Sequence, residues 1–236
     1  MKAVILAAGL GTRLRPITDN VPKCMVSVNG QCIIDKQIEN LKENKIKESD
    51  IYIIGGYKRE ILKNHLQNKY PDVNFIANDR YNETNNMYSL FLAKNCVKGK
   101  EFLLMNADVF FDSTIISGIQ KGKGSKIACD RRGYLEESMK IKVSNSGQIC
   151  HISKKIDEKE YFAVSIDVYR ISDSASNVLF DEIETTIVRN KDENSWTEVA
   201  LDSIFPKTDF SPFIIEDKWF EIDTLEDLKK AEILFK

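Results

Sequence analysis

The residues best suited to chemistry lie in the first segment of the chain, behind a short apolar run. Residues 2–8 (KAVILAA) have the composition of a buried parallel strand, and GLGTRLRPITDNVPK follows at residues 9–23. Gly9 and Gly11 let the backbone approach a ligand closely and expose successive N–H groups, an arrangement that binds phosphate oxygens. Arg13 and Lys23 would add positive charge beside them. The segment therefore predicts a phosphate-binding loop.

Two common phosphate-binding motifs do not fit this loop. The dinucleotide fingerprint G-x-G-x-x-G requires a third glycine where Leu14 stands. The Walker motif G-x-x-x-x-G-K-[ST] is matched neither here nor by GIQKGKGSK at residues 118–126. An ordinary strand-to-helix turn with surface arginines is the structural alternative, and the density of glycine, arginine, proline and lysine argues against it.

A carboxylate that could hold a metal ion belongs to the most apolar strand, EFLLMNADVFF at residues 101–111. Its Asn-Ala-Asp ending places Asp108 where ligands bind in open α/β sheets, at the carboxyl end of a strand. Mg²⁺ takes one or two carboxylates together with phosphate oxygens, so Asp108 is a predicted Mg²⁺ ligand. Asp223 ends a later strand, and Glu221 lies two residues earlier on the same side as a rival ligand. The alternative for Asp223 is a favourable charge at the N-terminus of the next helix.

The elements that must position these residues alternate between strand and helix as far as residue 111. This order predicts an α/β fold, a parallel sheet with helices on both faces. The second half is richer in strands, which are expected either to extend the same sheet in antiparallel fashion or to form a small lobe. A closing helix is predicted at residues 224–235, with Thr224 as its N-cap. The chain has no internal repeat and no Gly/Ser linker, so residues 1–236 are expected to form a single domain.

Composition excludes several classes of protein. Lys and Arg number 34 against 36 Asp and Glu, so the net charge of −2 gives no broad positive field for nucleic acid or an anionic membrane. The five cysteines contain no C-x-x-C and, with two histidines, predict no zinc site. Arg13 and Arg15 directly follow the apolar N-terminal run, so a signal peptide is not expected. A cytoplasmic protein with reduced thiols and no membrane span is the expectation.

The string LAAGLGTRLRPITDNVPK resembles the signature loop of the nucleotidyltransferases that join a nucleoside monophosphate to a phosphorylated acceptor, the sugar-phosphate and phosphocholine nucleotidyltransferases. NNMYSL at residues 85–90 is similar to the small CTP cytidylyltransferases of the phosphocholine type. The resemblance continues, in family order, through IIDKQIENLKENKI, IYIIGGYKREIL, TNNMYSLFLAK and WFEIDTLEDLKKAEILF. It implies a Rossmann-like, mixed but mostly parallel sheet with a small antiparallel acceptor-binding lobe. Residues 1–111 would be the nucleotide-binding half, and residues 112–236 the acceptor-binding half with the closing helix.

The resemblance also implies roles for individual residues. Arg13 and Lys23 would bind the triphosphate as catalytic residues, while Mg²⁺ would be held by Asp108 and by Asp223 or Glu221. The residues implied to bind the nucleotide are Ala8, Gly9, Gly11, Thr12, Gly56, Tyr57, Asn85, Asn86 and Ser89. Asparagine and serine offer the donors and acceptors that a pyrimidine edge requires, although the same residues are common helix caps.

The acceptor departs from the phosphocholine pattern. Enzymes of that type hold the quaternary ammonium in an aromatic box by cation–π attraction. The positions that align with the box carry Ser138 or Met139, and then Ala200 and Leu201. Tyr134 and Trp196 are the only aromatic residues close to those positions. Choline is therefore not the expected acceptor group.

A charged segment after the metal strand is the predicted acceptor site. Asp130, Arg131 and Arg132, with Glu136 and Glu137 nearby, would suit a zwitterion such as phosphoglutamine or phosphoethanolamine. An aminophosphonate or a sugar phosphate is a further option for the acceptor. A solvated loop is the plain alternative for the arginine pair.

The leading hypothesis is a Mg²⁺-dependent cytidylyltransferase, a monomer or homodimer, that takes CTP and a small phosphorylated acceptor. Its product would serve the decoration of surface polysaccharide or lipid. One alternative is a sugar-1-phosphate nucleotidyltransferase that uses UTP, GTP or dTTP, although the chain is short for that branch. Another is a non-catalytic nucleotide-sensing domain, which would not need both metal carboxylates.

Overall fold

Residues 1–236 are described by a computed structural model that contains thirteen strands and eight α-helices. The strands are β1 (Lys2–Ala7), β2 (Ser27–Val28), β3 (Gln31–Cys32), β4 (Ile51–Gly55), β5 (Asn74–Ala77), β6 (Phe102–Asn106), β7 (Val109–Phe111), β8 (Ser125–Asp130), β9 (Lys140–Val143), β10 (Ile149–Ser153), β11 (Ala163–Ile171), β12 (Phe210–Ile214) and β13 (Trp219–Glu221). The helices are α1 (Ile33–Glu43), α2 (Arg59–Lys69), α3 (Asn86–Leu92), α4 (Lys94–Val97), α5 (Thr114–Ile119), α6 (Asp173–Glu184), α7 (Thr197–Ile204) and α8 (Leu225–Leu234).

Nine strands form one mixed sheet that runs through both halves of the sequence. Its main path is β10-β9-β11-β6-β1-β4-β5, with β8 paired to β11 and β12 paired to β8. Strands β6, β1, β4 and β5 are mutually parallel, and β11 joins β6 in antiparallel fashion. The prediction of an α/β fold with a mostly parallel first half is confirmed. The antiparallel strands of the second half extend this same sheet.

The first strand shows why its sequence is an unbroken apolar run. Val4 and Leu6 pack into the hydrophobic core on one face of the sheet, while Ala3, Ile5 and Ala7 pack into the core on the other. Because helices cover both faces, neither side of β1 reaches solvent, so alternation with polar residues is absent. The strand is thereby fixed rigidly, and the loop that follows it starts from a defined point.

The predicted single strand at residues 101–111 is two strands, which corrects the sequence interpretation. β6 ends at Asn106, and β7 leaves the main sheet to pair with β13 in a separate two-stranded sheet. The backbone N–H of Ile222 donates to the carbonyl of Asp108 at 2.9 Å across this junction. The change of partner places Asp108 at the end of the main sheet and brings β13, with Glu221, beside it.

Two helical segments border the site region. Helix α3 begins at Asn86 and ends at Leu92, and α4 follows after Ala93. The prediction that Thr224 caps the last helix is confirmed, since its side chain accepts from the backbone N–H of Asp227 in a capping box. No helix of the fold has the length and apolarity that a membrane crossing requires.

Candidate active site

A cavity of about 420 Å³ opens at the carboxyl ends of β1 and β6. Its walls come from the N-terminal loop, the start of α3, the junction after β6, β11, the start of α7 and the end of β13. This is the edge at which open α/β sheets bind ligands. The elements that the sequence separates by up to two hundred residues therefore meet at one place.

Three carboxylates lie together on the cavity wall, because β7 and β13 are paired. Asp108, Glu221 and Asp223 each offer an oxygen, and these oxygens lie within 4.8 Å of one another. The Nζ atom of Lys23 donates to Asp108 at 2.8 Å and to Asp223 at 2.5 Å. Arg13 also pairs with Asp223, at 2.7 Å. The two candidate phosphate-binding cations and the three candidate metal ligands are thus one cluster.

The donor set of this cluster fits a hard divalent cation. The Oδ1 atom of Asp108 is buried and has no hydrogen-bond partner, although buried carboxylate oxygens are normally paired. All the candidate ligand atoms are carboxylate oxygens, which Mg²⁺ prefers to nitrogen or sulfur. A cation between Asp108 and its two neighbours would pair the orphaned oxygen.

Two acids of the cluster have pKa values shifted in opposite directions. Burial raises the pKa of Glu221 to about 9, and the charges of Asp108 and other carboxylates nearby add to the effect. Burial also opposes ionisation of Asp223, but Lys23 and Arg13 outweigh it and lower the pKa of Asp223. Burial disfavours the charged form of Lys23, yet its two acidic partners hold its pKa above the usual value. Lys23 is therefore a permanent positive charge in this site.

The N-terminal loop is folded closely around Lys23. Gly11 adopts a left-handed conformation with a φ of +62°, and a Cβ atom there would lie 2.9 Å from the Cβ of Lys23. The carbonyl of Gly11 accepts a hydrogen bond from Thr18 at 2.8 Å, and Leu14 anchors the loop in the core. A Cβ atom at Gly9, by contrast, would meet no protein atom. Both glycines line the cavity, as does Thr12.

Asn85 and Asn86 line the cavity at the start of α3, whereas Ser89 does not. Asn85 caps the helix by accepting from the backbone N–H of Asn86 at 2.8 Å. The Oδ1 atom of Asn86 accepts from the backbone N–H of Thr197 at 2.8 Å. Ser89 is buried against Asn78, whose Nδ2 donates to its hydroxyl at 3.1 Å. A nucleotide contact therefore stays a prediction for the two asparagines and for Ser89.

Ala8, Gly56 and Tyr57 do not line this cavity, and their contact with a nucleotide stays a prediction. The backbone N–H of Tyr57 donates to the carbonyl of Ala8, and the Tyr57 hydroxyl donates to the carbonyl of Thr18 at 3.0 Å. A Cβ atom at Gly56 would approach the Cβ of Tyr81 to 2.5 Å. These residues fasten the end of β4 to the N-terminal loop, and close packing explains the glycine.

The predicted acceptor site at Asp130, Arg131 and Arg132 does not line the cavity. Asp130 is buried and accepts from Trp219 Nε1 at 2.5 Å and from Arg132 Nη2 at 2.7 Å. The guanidinium of Arg131 lies 4.6 Å from the ring centroid of Phe162. An acceptor contact stays a prediction for these three residues, although Asp130 and Arg132 already pair with each other.

Two acidic residues inside apolar elements line the cavity and were missed by the sequence analysis. Asp167 lies in β11 at an irregularity in the pairing with β8, and its φ is +57°. Such a bulge turns a side chain away from the regular alternation of the strand. Burial raises the pKa of Asp167 to about 7 and also raises the pKa of Glu198, which lies at the start of α7. An isolated acid within AVSIDVYRI or WTEVALDSIF was the available signal.

The positions aligned with an aromatic box do not form one. Ala200 and Leu201 are buried in the hydrophobic core, and Tyr134 packs edge-on against Tyr161 away from the cavity. Ser138, Met139 and Trp196 do line the cavity, together with Lys154 and Glu137. A single aromatic side chain therefore borders the acceptor end.

Comparison with known proteins adds a family match and similar relatives. The profile of the family described as Nucleotidyl transferase matches residues 2–130. A CTP:phosphoglutamine cytidylyltransferase of Campylobacter jejuni is 32% identical over 252 residues, which cover 97% of this chain and 98% of that protein. A choline-phosphate cytidylyltransferase of Streptococcus pneumoniae is 54% identical over 94 residues, which cover 40% of this chain and 39% of that protein.

Solved structures show the same fold. The structure of a CTP:phosphocholine cytidylyltransferase from Streptococcus pneumoniae superposes with a TM-score of 0.83 at 29% sequence identity. The match covers 100% of this chain and 99% of that chain. The mixed sheet, with its antiparallel second half, is therefore the architecture of these enzymes.

Proposed function

The chain belongs to the nucleotidyl transferase family and is a nucleotidyltransferase, and from that premise we propose that it transfers CMP from CTP to a small zwitterionic phosphorylated acceptor, with Mg²⁺ as cofactor and pyrophosphate as leaving group. The observation that carries this proposal is the convergence of Lys23, Asp108 and Asp223 beside the glycine loop in one cavity. The reaction is a phosphoryl-group displacement, for which positioning and charge neutralisation are the main requirements.

Asp108, Asp223 and Glu221 are the residues that would hold the cation. A bound Mg²⁺ would neutralise charge on the phosphates and on the leaving pyrophosphate. The orphaned Oδ1 atom of Asp108 and the proximity of the three carboxylates support this assignment. Neither Glu221 nor Asp223 is excluded as a ligand by the geometry, so both belong to the proposed set.

Lys23 and Arg13 would bind the triphosphate of CTP. In the cluster Lys23 is shared between two carboxylates, and an arriving phosphate would be a further anionic partner within reach of its three donors. The exposed backbone N–H groups around Gly9 and Gly11 would cradle the phosphate oxygens. The attacking group is an oxygen of the acceptor's phosphate, which is already anionic. It forms the new bond to the α-phosphorus while the bond to pyrophosphate breaks, and no side chain has to remove a proton.

The preference for cytidine rests on the relatives and on the NNMYSL segment. Both curated relatives described above are cytidylyltransferases, one for phosphoglutamine and one for choline phosphate. Asn85 and Asn86 lie where amide groups could read a pyrimidine edge. The lack of an aromatic box favours an acceptor other than phosphocholine.

The test is pyrophosphate release with Mg²⁺ when four nucleotides are crossed with a panel of acceptors. The panel holds phosphoglutamine, phosphoethanolamine, aminoethylphosphonate, phosphocholine and glucose-1-phosphate. Release with CTP and a zwitterionic acceptor is expected. Release only with UTP, GTP or dTTP and the sugar phosphate would overturn the proposal in favour of the sugar branch.

The metal carboxylate is tested by Asp108→Asn, with Asp157→Asn as the matched control. Asp157 is exposed, and its side chain makes no hydrogen bond or ion pair. Asp108→Asn is expected to lower the turnover rate by ~10²–10³ while the unfolding temperature stays close to that of the wild type. Wild-type turnover in this variant would contradict the assignment of Asp108.

A further inference from the structure

The cavity also holds a pair of carboxylates joined by one phenol. The Tyr169 hydroxyl lies 2.8 Å from Asp167 Oδ1 and 2.9 Å from Glu198 Oε1. Ser165 Oγ lies 3.4 Å from the Tyr169 hydroxyl oxygen and donates to it. The only other side-chain donor to Asp167 is Asn106, which reaches its Oδ2 at 2.9 Å. The two acids thus share the Tyr169 hydroxyl as a hydrogen-bond donor, and Asp167 has a second donor in Asn106.

The two acids share one donor, the Tyr169 hydroxyl. A phenol donates one hydrogen, so only one of Asp167 and Glu198 can accept it at a time. Glu198 is only 4% exposed, and it lines the cavity. A buried carboxylate is costly unless hydrogen bonds or an opposite charge compensate it, and the cavity is the side from which a ligand can approach Glu198. A ligand with its own N–H groups would supply a further hydrogen bond and a compensating charge.

A lysine without a partner lies on the same cavity wall. Lys154 follows β10, lines the cavity, and forms no ion pair with any acidic residue. Its ammonium lies 5.1 Å from the ring centroid of Trp196, which also lines the cavity. Its charge reaches Glu198, since it favours the ionised form of that acid, although burial dominates the shift in pKa. The acids Asp167 and Glu198 and the positively charged Lys154 therefore line the same cavity.

We propose that this part of the cavity binds an α-amino-acid group, with the ammonium of the ligand donating to Glu198 and Asp167 and its carboxylate accepting from Lys154. The proposal rests on the proposed function, because the amino acid would be the non-reacting end of the phosphorylated acceptor. In an α-amino acid both charges are carried by groups on one carbon atom, so their partners must lie in the same part of the cavity, and the charge of Lys154 is close enough to Glu198 to influence its ionisation. Met139 and Trp196 would contact the apolar atoms of the ligand.

A quaternary ammonium fits this site poorly. It carries the positive charge but no N–H group, so it would add no hydrogen bond to Glu198 or Asp167. Sites built to hydrogen-bond a ligand reject analogues that lack the donor much more strongly than apolar pockets do. Glu137 is the other acid on this part of the cavity, and its charge alone would not restore that discrimination.

Three compounds separate these features one at a time. Phosphoethanolamine is O-phosphoserine without its carboxylate, and phosphocholine is phosphoethanolamine with three N-methyl groups. Calorimetric titration in the presence of a non-hydrolysable CTP analogue and Mg²⁺ measures their affinities. O-phosphoserine is expected to bind about tenfold more tightly than phosphoethanolamine, and phosphoethanolamine about tenfold more tightly than phosphocholine, since hydrogen bonds to charged groups are worth this much or more. Equal or stronger binding of phosphocholine would overturn the proposal.

Two variants assign the effects to their residues. Glu198→Gln is expected to weaken phosphoserine and phosphoethanolamine about tenfold and to leave phosphocholine unchanged, with exposed Glu158→Gln as control. Lys154→Met is expected to abolish the preference for phosphoserine over phosphoethanolamine, and Lys155→Met, at an exposed position, is its neighbour control. A uniform loss for all three compounds, or no loss for any, would refute the assignment. Asp167→Asn provides a second variant of the acid pair if Glu198→Gln unfolds.

The same measurements separate this inference from the proposed function. Discrimination among the three compounds in binding, with no pyrophosphate release from any nucleotide, would leave the amino-acid site standing and refute CMP transfer. Rapid release with phosphocholine at or above the rate for phosphoserine would uphold CMP transfer and refute the amino-acid site.

Discussion

At the scale of residues, the glycines of the N-terminal loop have two separate functions. Gly11 is required by the protein, because its positive φ and its distance from Lys23 leave no room for a Cβ atom. Gly9 has ordinary backbone geometry, and a Cβ atom there would face open space at the cavity. The need for glycine at position 9 therefore points to a ligand.

Alanine at each glycine distinguishes the two functions. Gly11→Ala is expected to destabilise the fold by roughly 1–3 kcal/mol, since it combines left-handed backbone strain with a close contact. Gly9→Ala is expected to change stability by less than about 0.5 kcal/mol and to weaken CTP binding about tenfold. Urea unfolding and nucleotide titration measure the two effects. Tight CTP binding by Gly9→Ala would show that no phosphate passes close to that backbone.

The residues predicted from sequence share a property that the missed ones lack. The Gly-Arg-Lys loop and Asp108 follow strands, where polar residues stand out as candidates for a crevice. Asp167 and Glu198 lie inside a strand and a helix, where a single acid looks like part of a solvated face. The bulge in β11 and the packing of α7 against α6 and β10 bring both acids to the cavity. Those are tertiary facts, which the local pattern does not contain.

At the scale of elements, the site depends on a change in strand pairing. Strand β6 pairs with β1 and β11 in the main sheet, whereas β7 pairs with β13. The apolar run at residues 101–111 gave no sign of a break, because both strands are buried. The pairing of β7 with β13 brings Glu221 and Asp223 to Asp108 from more than a hundred residues away. The sequence order alone suggested that both strands end near ligands, and it could not show that they are neighbours.

The segment after β8 is interpreted differently once the structure is known. Asp130 accepts from Trp219 at the start of β13 and from Arg132, so it fastens β13 to the main sheet. Asp130→Ala is expected to lower the free energy of unfolding by about 1–3 kcal/mol, because the buried indole N–H of Trp219 loses its acceptor.

The half-exposed Arg132 contributes less to stability than Asp130. Arg132→Ala is expected to cost less than about 1 kcal/mol because its ion pair is screened by solvent. Urea unfolding measures both variants, with Arg131→Ala as control, and the KM for the acceptor is expected to stay unchanged in all three. A KM that rises several-fold in Arg132→Ala or Arg131→Ala would return these arginines to the acceptor site.

At the scale of the whole molecule, one sheet joins the two halves of the chain. The glycine loop follows β1, Asp167 lies in β11, and β6 is paired directly to both strands. Alternation of strands and helices predicted the parallel half, because buried parallel strands have an unmistakable composition. Whether the later strands would extend that sheet or form a separate lobe depended on the antiparallel pairing of β11 with β6, which no residue pattern specifies.

The buried acids of the cavity predict how the stability of the molecule depends on pH. Burial raises the pKa of Asp167 to about 7, whereas an unfolded aspartate titrates near 3.9. Between about pH 4 and pH 7 the folded chain therefore holds a proton that the unfolded chain has released. Its stabilising contribution is complete below the unfolded pKa and is lost as the pH rises through the folded one. The raised pKa of Glu198 acts in the same direction.

Asp167→Asn removes this proton-linked contribution and keeps the shape of the side chain. Unfolding by urea between pH 5 and pH 8, with EDTA present, is expected to show the wild type losing stability relative to the variant, by on the order of 1–3 kcal/mol across the range. Asp223 acts in the opposite sense, since its lowered pKa gives stability that is lost only at acid pH, below this window. Parallel curves for the two proteins would mean that Asp167 is ionised in the folded state at neutral pH. The amino-acid site would then carry its full negative charge before any ligand arrives, and ligand binding would release no proton.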